Sequence, residues 1–105
     1  MSTFKRSGTF YVYILKCNDG TYYTGYTPDL KRRVELHNKG RGAKYTRTRL
    51  PAKLVWSKQF GYFKLAFKAE KAVKKLTRAQ KDRVVRTGVF PLKKRRRRAG
   101  LLSKG

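Results

Sequence analysis

The chain is short of most of the groups that build metal cages and covalent staples. A single cysteine in 105 residues excludes an intramolecular disulfide and any cysteine-built zinc site. A single histidine excludes a multi-histidine metal centre. Acids are scarce too: five Asp and Glu stand against 29 Lys and Arg, which sets the net charge at +24. No apolar run approaches the ~18 residues that a membrane-spanning helix needs. The stretch from residue 10 to 15 is too short, and too rich in tyrosine, for the apolar region of a secretion signal. The expected context is that of a small, soluble, intracellular protein, and this length leaves no room for a second core.

What the chain does have is apolar and positive. Hydrophobic residues make up 39% and aromatics 13%, enough for a core and too much for full disorder. The positive charge is not confined to the ends. Residues 9–88 hold 20 Lys or Arg and all five acids, a net +15. A folded unit this positive repels itself until a polyanion neutralises it. Nucleic acid, and DNA first, is the expected partner, with binding that falls steeply as salt rises. Six further cations form one run, Lys93, Lys94, Arg95, Arg96, Arg97 and Arg98. That run reads as a solvated basic arm on nucleic acid or as a localisation signal. A membrane surface suits it less, because no apolar anchors flank it.

Residues 10–17 are aromatic and β-branched and predict a strand. Asn18-Asp19-Gly20 is a three-residue turn that ends in glycine, and residues 21–26 form the returning strand. That turn length sets Leu15 opposite Tyr23 and Tyr13 opposite Gly25. Tyr13 and Tyr23 therefore share a face as diagonal neighbours, and Gly25 leaves open space across from Tyr13. A turn one residue shorter sends the two tyrosines to opposite faces.

Thr27, Pro28 and Asp29 predict a helix start with Thr27 as the cap. The helix runs to Asn38 and stops before Gly40. On it Leu30, Arg33, Val34 and His37 fall within one arc of about 100°. Residues 40–51 read as a basic loop carrying Arg41, Lys44, Arg47 and Arg49. Residues 53–60 predict a third strand. Leu65, Ala69, Ala72 and Leu76 recur at helical spacing and predict a helix over 62–76. Thr77 with Gln80 fits a capping box that opens a last helix ending before Gly88. The result is a mixed α/β (α+β) domain over 9–88, between a flexible segment at 1–8 and a basic tail at 89–105. Its sheet is three-stranded and largely antiparallel, flanked by helices in the order β-β-α-β-α-α.

Two polar features stand out. A cation on a core-facing helix stripe, Arg33, calls for an anion to offset its desolvation, or else snorkels. Glu70 sits beside the apolar arc of the second helix. It is either half of a surface ion pair with Lys74 or Lys75, or a single carboxylate ligand for a hard divalent cation, which takes its other oxygens from water and phosphate.

These residues together resemble the GIY-YIG nuclease superfamily. Tyr11-Val12-Tyr13 and Tyr23-Thr24-Gly25 look like its paired tripeptides. Leu30-Lys31-Arg32-Arg33, His37-Asn38, Gly42-Ala43-Lys44-Tyr45-Thr46-Arg47, Leu54-Val55-Trp56 and Lys75-Leu76-Thr77-Arg78-Ala79-Gln80-Lys81 look like its small stand-alone bacterial members. The likeness departs at Tyr11, where the family has glycine, at Thr24, where it has isoleucine, and at Tyr26, where the repair branch has lysine. The resemblance implies a Mg²⁺- or Mn²⁺-dependent DNA endonuclease that acts in DNA repair or processing. It implies Tyr13 and Tyr23 as the motif tyrosines, Arg33 as the catalytic arginine, His37 as an accessory polar residue and Glu70 as the metal ligand.

In that reading Tyr13 or Tyr23 takes a proton from the attacking water. A free tyrosine titrates near ~10, so the base is expected to be tuned down by Arg33 and the metal. The loop cations Arg41, Lys44, Arg47 and Arg49, with Lys64, Lys68 and Lys71, are expected on the phosphate backbone. A domain this small carries no specificity module, so targeting falls to a protein partner. The expected location is the cytoplasm at the nucleoid, or the nucleus in a eukaryotic or viral setting. The alternative is a basic nucleic-acid binder, or a degenerate nuclease, that holds DNA without cutting it.

Overall fold

The computed structural model describes residues 7–90. The N-terminal segment and the basic run at 93–98 lie outside the described residues. Strand β1 (Ser7–Lys16) and strand β2 (Tyr22–Thr27) form the hairpin. Helix α1 (Leu30–Asn38) and a short helix α2 (Lys44–Arg47) precede strand β3 (Lys53–Tyr62), and helices α3 (Phe63–Lys74) and α4 (Arg78–Thr87) close the domain. The sheet is antiparallel in the order β2-β1-β3. The α+β class and the element order are as expected, with α2 added inside the segment read as a loop. Among the described residues no helix is long and apolar enough to cross a membrane.

The hairpin register is the predicted one. Tyr13 pairs with Gly25 and Leu15 with Tyr23. Gly20 closes the turn at φ +86°, a left-handed conformation that a side chain disfavours. Alternation along β1 then divides two cores. Phe10, Val12 and Ile14 pack with Trp56, Ala66, Ala69, Val73 and Val84 under α3 and α4. Tyr13 and Leu15 face the other way, with Ala52, Tyr23, Leu30 and Val34 under α1.

Two local expectations need correction. The cap of α1 is Asp29, whose carboxylate accepts from the Arg32 amide at 3.2 Å, while Thr27 stays in β2 and its hydroxyl accepts from the Asp29 amide. The cap has moved because Thr27 pairs with Tyr11 and ends the strand instead of opening the helix. The inward stripe of α3 is Ala66, Ala69 and Val73, and Leu65 is 55% exposed. A 3.6-residue period fits both stripes, and the small alanines win because they let the helix approach the sheet. The capping box at Thr77 and Gln80 forms as expected, and Gly88 ends α4 at φ +75°.

Thr24 points into the α3 core opposite Ile14, and its buried hydroxyl has no hydrogen-bond partner among the described residues. Burying an unpaired hydroxyl costs about 1 kcal/mol or more. Thr24→Val keeps the shape and removes the hydroxyl. It is expected to raise the melting temperature by roughly 4–8 °C, the shift that about 1 kcal/mol gives in a domain of this size. A thermal melt in which Thr24→Val is no more stable than the wild type refutes this account of the site.

Candidate active site

Four elements converge on one cavity of about 450 Å³. Its walls include Tyr13 from β1, Tyr23 and Gly25 from β2, Arg33 from α1 and Glu70 from α3. β2 is an outer strand of the sheet, so Glu70 reaches the cavity past its edge although α3 packs on the opposite face. The helix arc reading explains Arg33 and His37. Both sit on the inward side of α1, one turn apart, while Arg32 and Glu35 face solvent. The end of α1 is tied to the residue just before β3, with Asn38 donating to the Ala52 carbonyl at 2.9 Å and accepting from the Ala52 amide at 2.7 Å.

His37 stands behind Tyr13 and not on the cavity wall. It is 0% exposed. Its Nε2 lies 2.9 Å from the Tyr13 hydroxyl, and its Nδ1 lies 2.8 Å from the Thr46 hydroxyl. Two glycines permit this packing. A Cβ at Gly25 would fall 2.6 Å from Tyr13 Oη, so the expected open space across from Tyr13 is filled by the tyrosine's own ring. A Cβ at Gly42 would overlap His37 Nδ1 and lie 2.8 Å from the His37 Cα, so only glycine fits there. The aromatic cluster extends outward. Tyr23 lies 5.2 Å from the His37 ring and stacks on Tyr45 at 6.1 Å, and the Arg49 guanidinium covers Tyr45 at 3.9 Å.

The electrostatics differ from expectation at one point. Burial pushes the Tyr13 phenol up to about 12, and the Arg33 guanidinium beside it offsets only part of that rise. The protein alone therefore does not lower this tyrosine. Burial also pushes His37 down to about 4, helped by the same arginine, so the imidazole is neutral at pH 7. Among the described residues Arg33 makes no ion pair. Its guanidinium is left for an anion that enters the cavity.

Glu70 makes the ion pair weighed from sequence and also lines the cavity. Its carboxylate pairs with Lys74 Nζ at 3.2 Å, and it is only 13% exposed at the cavity. Among the described residues no three His, Cys, Asp or Glu side chains gather into a cage. The cavity does fit a hard divalent cation held by one carboxylate, with phosphate oxygens and water completing the shell.

The expected phosphate contacts divide. Arg41, Lys44 and Arg47 are exposed around α2, and Lys64, Lys68 and Lys71 are exposed along α3. Arg49 is already engaged, with Asp19 at 3.0 Å and the Tyr45 carbonyl at 2.7 Å. Thr46, Tyr45 and Gly42 escaped sequence reasoning as site residues. Their segment carried a basic-loop signal and part of the family likeness, and nothing in it marked a hydroxyl nine residues beyond His37 as its partner.

Comparison with known proteins agrees with this geometry. The family model described as the GIY-YIG catalytic domain matches residues 9–83. A UPF0213 protein of Streptococcus agalactiae is 55% identical over 71 residues, covering 68% of this chain and 81% of that protein. A UPF0213 protein of Halobacterium salinarum is 51% identical over 72 residues, covering 69% of this chain and 94% of its own. The solution NMR structure of a UPF0213 protein from Bacillus halodurans is 46% identical, with a TM-score of 0.52 over 79% of this chain and 88% of that one. The solution NMR structure of a protein from E. faecalis is 40% identical, with a TM-score of 0.54 over 90% of this chain and 98% of that one. With the paired tyrosines on one sheet face and an arginine and a glutamate on the same cavity, this chain belongs to the GIY-YIG catalytic domain family, a family of nucleases.

Proposed function

We propose that the protein is a metal-dependent DNA endonuclease that hydrolyses phosphodiester bonds in DNA repair or processing. The observation that carries this reading is the single cavity shared by Tyr13, Tyr23, Arg33 and Glu70. A non-catalytic binder has no use for an inward arginine that has no ion-pair partner among the described residues, placed beside a carboxylate and two phenols.

Each group has a task that its position allows. Arg33 grips the non-bridging oxygens of the scissile phosphate and, being always charged, needs no tuning. Tyr13 accepts a proton from the attacking water. It acts with His37, because a free tyrosinate is disfavoured by the burial that holds Tyr13 at about 12. The water proton arrives at Oη as the phenol's own proton moves to His37 Nε2, 2.9 Å away. The water oxygen bonds to phosphorus, the bond to the 3′ oxygen breaks, and that oxygen takes up a proton from solvent to become a hydroxyl, while the proton held on His37 returns to Tyr13 and the proton that Tyr13 took from the water leaves to solvent. Glu70 would hold a Mg²⁺ or Mn²⁺ ion, whose charge stabilises the departing oxygen. The exposed cations on α2 and α3 position the backbone without reading sequence.

Supercoiled plasmid tests the reading. Nicking is expected in Mg²⁺ or Mn²⁺ and is expected to stop with EDTA, while DNA binding persists in a gel shift. Binding with no nicking in either metal overturns it.

A further inference from the structure

We propose that Thr46 is a positioning residue that fixes the imidazole proton of His37 on Nδ1, so that Nε2 offers its lone pair to the Tyr13 hydroxyl. The functional consequence rests on the reading of Tyr13 as the base. The hydrogen-bond assignment itself does not.

Thr46 is 0% exposed, and its hydroxyl holds one hydrogen. Its oxygen lies 3.0 Å from the Ala43 carbonyl and 2.8 Å from His37 Nδ1. A carbonyl can only accept, so the hydroxyl donates to Ala43. The short contact to His37 must then be donated by the ring. A neutral imidazole carries one N–H, which leaves Nε2 as an acceptor, and the Tyr13 hydroxyl donates to it at 2.9 Å. Three bonds of 2.8 to 3.0 Å result, each with one donor and one acceptor.

The other tautomer does less well. Nδ1 would accept from Thr46 and from the Ala43 amide, which lies at 3.4 Å, and the Ala43 carbonyl would keep only the Arg47 amide at 3.2 Å. A contact of 3.4 Å would replace a bond of 3.0 Å, and hydrogen bonds weaken with length. The Ala43 amide matters in a different way, because it waits as a second partner for the Nδ1 lone pair. Once the Thr46 hydroxyl is removed, the balance tips and the proton moves to Nε2.

The direction of these bonds decides what the cavity meets. With Nδ1 protonated, the phenol hydrogen is committed to His37, and the Oη lone pairs face Arg33 and an incoming water. With Nε2 protonated, the ring donates to Oη and the phenol hydrogen turns toward the cavity, where it competes with the water's own. Thr46 touches no reacting atom. It acts on Tyr13 through His37.

The chain contains one histidine, so the imidazole ¹⁵N signals of the full-length labelled protein belong to His37 without assignment. A long-range ¹H–¹⁵N correlation at neutral pH is expected to show protonated Nδ1 and bare Nε2. The proposal is overturned if wild-type Nε2 carries the proton, and this result needs no variant and no activity. Thr46→Val is expected to move the proton to Nε2 and to cut the nicking kcat by about 100-fold, the scale of a lost acid–base contribution. Its DNA affinity should stay unchanged, and Thr46→Ser should restore both the spectrum and the rate. A Thr46→Val protein with the wild-type tautomer also overturns the proposal. Should the wild type bind DNA without nicking it, the endonuclease reading falls, and the spectrum still decides the assignment of Thr46.

Discussion

A Tyr13→Phe protein binds duplex DNA as the wild type does and nicks plasmid about 1000-fold more slowly, within the range set by loss of a general base. The substitution removes one oxygen from the cavity wall and leaves the ring that fills the space over Gly25. It also leaves His37 Nε2 without its buried partner, at a stability cost of about 1–3 kcal/mol. A melt must therefore show the variant folded at the assay temperature. Glu70 needs a paired test, because its carboxylate serves both the cavity and Lys74. Glu70→Gln is expected to abolish metal-dependent nicking. Lys74→Ala removes only an exposed helical ion pair, worth a few tenths of a kcal/mol, and is expected to leave nicking intact. If Lys74→Ala is as inactive as Glu70→Gln, the ion pair is the function of Glu70 and the metal assignment is wrong. If Tyr13→Phe nicks at the wild-type rate, the base is elsewhere.

How far the site could be read in advance follows from which contacts are local. The diagonal of Tyr13 and Tyr23 depends on the length of one turn, and a three-residue turn ending in Gly20 dictates the register observed. The inward placement of Arg33 and His37 depends on helical period alone. By local pattern Glu70 was legible as a residue on the border of an apolar arc, and only the family likeness gave it a place beside the tyrosines. Its arrival at the cavity depends on β2 being an outer strand, which no local pattern states. The contact of Thr46 with His37 was not legible. Thr46 meets His37 because α2 folds back over the end of α1, and that packing is permitted by the missing side chain of Gly42. The stripe of α3 misled for a related reason: a leucine carries a stronger apolar signal than an alanine, yet closeness to the sheet decides which one is buried.

Stability is expected to fall by roughly 3 kcal/mol between pH 7 and pH 4, and a single side chain accounts for it. His37 titrates near ~6.5 in an unfolded chain and near about 4 in the folded one. Between those values the unfolded state binds a proton that the folded state refuses. Unfolding is thus favoured as pH drops, by up to about 1.4 kcal/mol per pH unit. The contribution is complete above the unfolded value and is lost as pH falls toward the folded one. Most proteins blur this window with their carboxylates, but this chain has five. Two of them, Asp19 and Asp82, are held below the usual range by hydrogen bonds from Thr21 and Tyr22, so their share is lost only at still lower pH. Urea unfolding of the wild type and of His37→Gln at steps from pH 7 to pH 4 isolates the effect. The variant should be weaker at pH 7, having lost the bonds to Tyr13 and Thr46, and nearly flat across the window. Equal slopes in the two proteins would mean that His37 is protonated in the fold. A charged His37 donates from both nitrogens, leaves no lone pair for the Tyr13 hydroxyl, and removes the acceptor on which the proposed base depends.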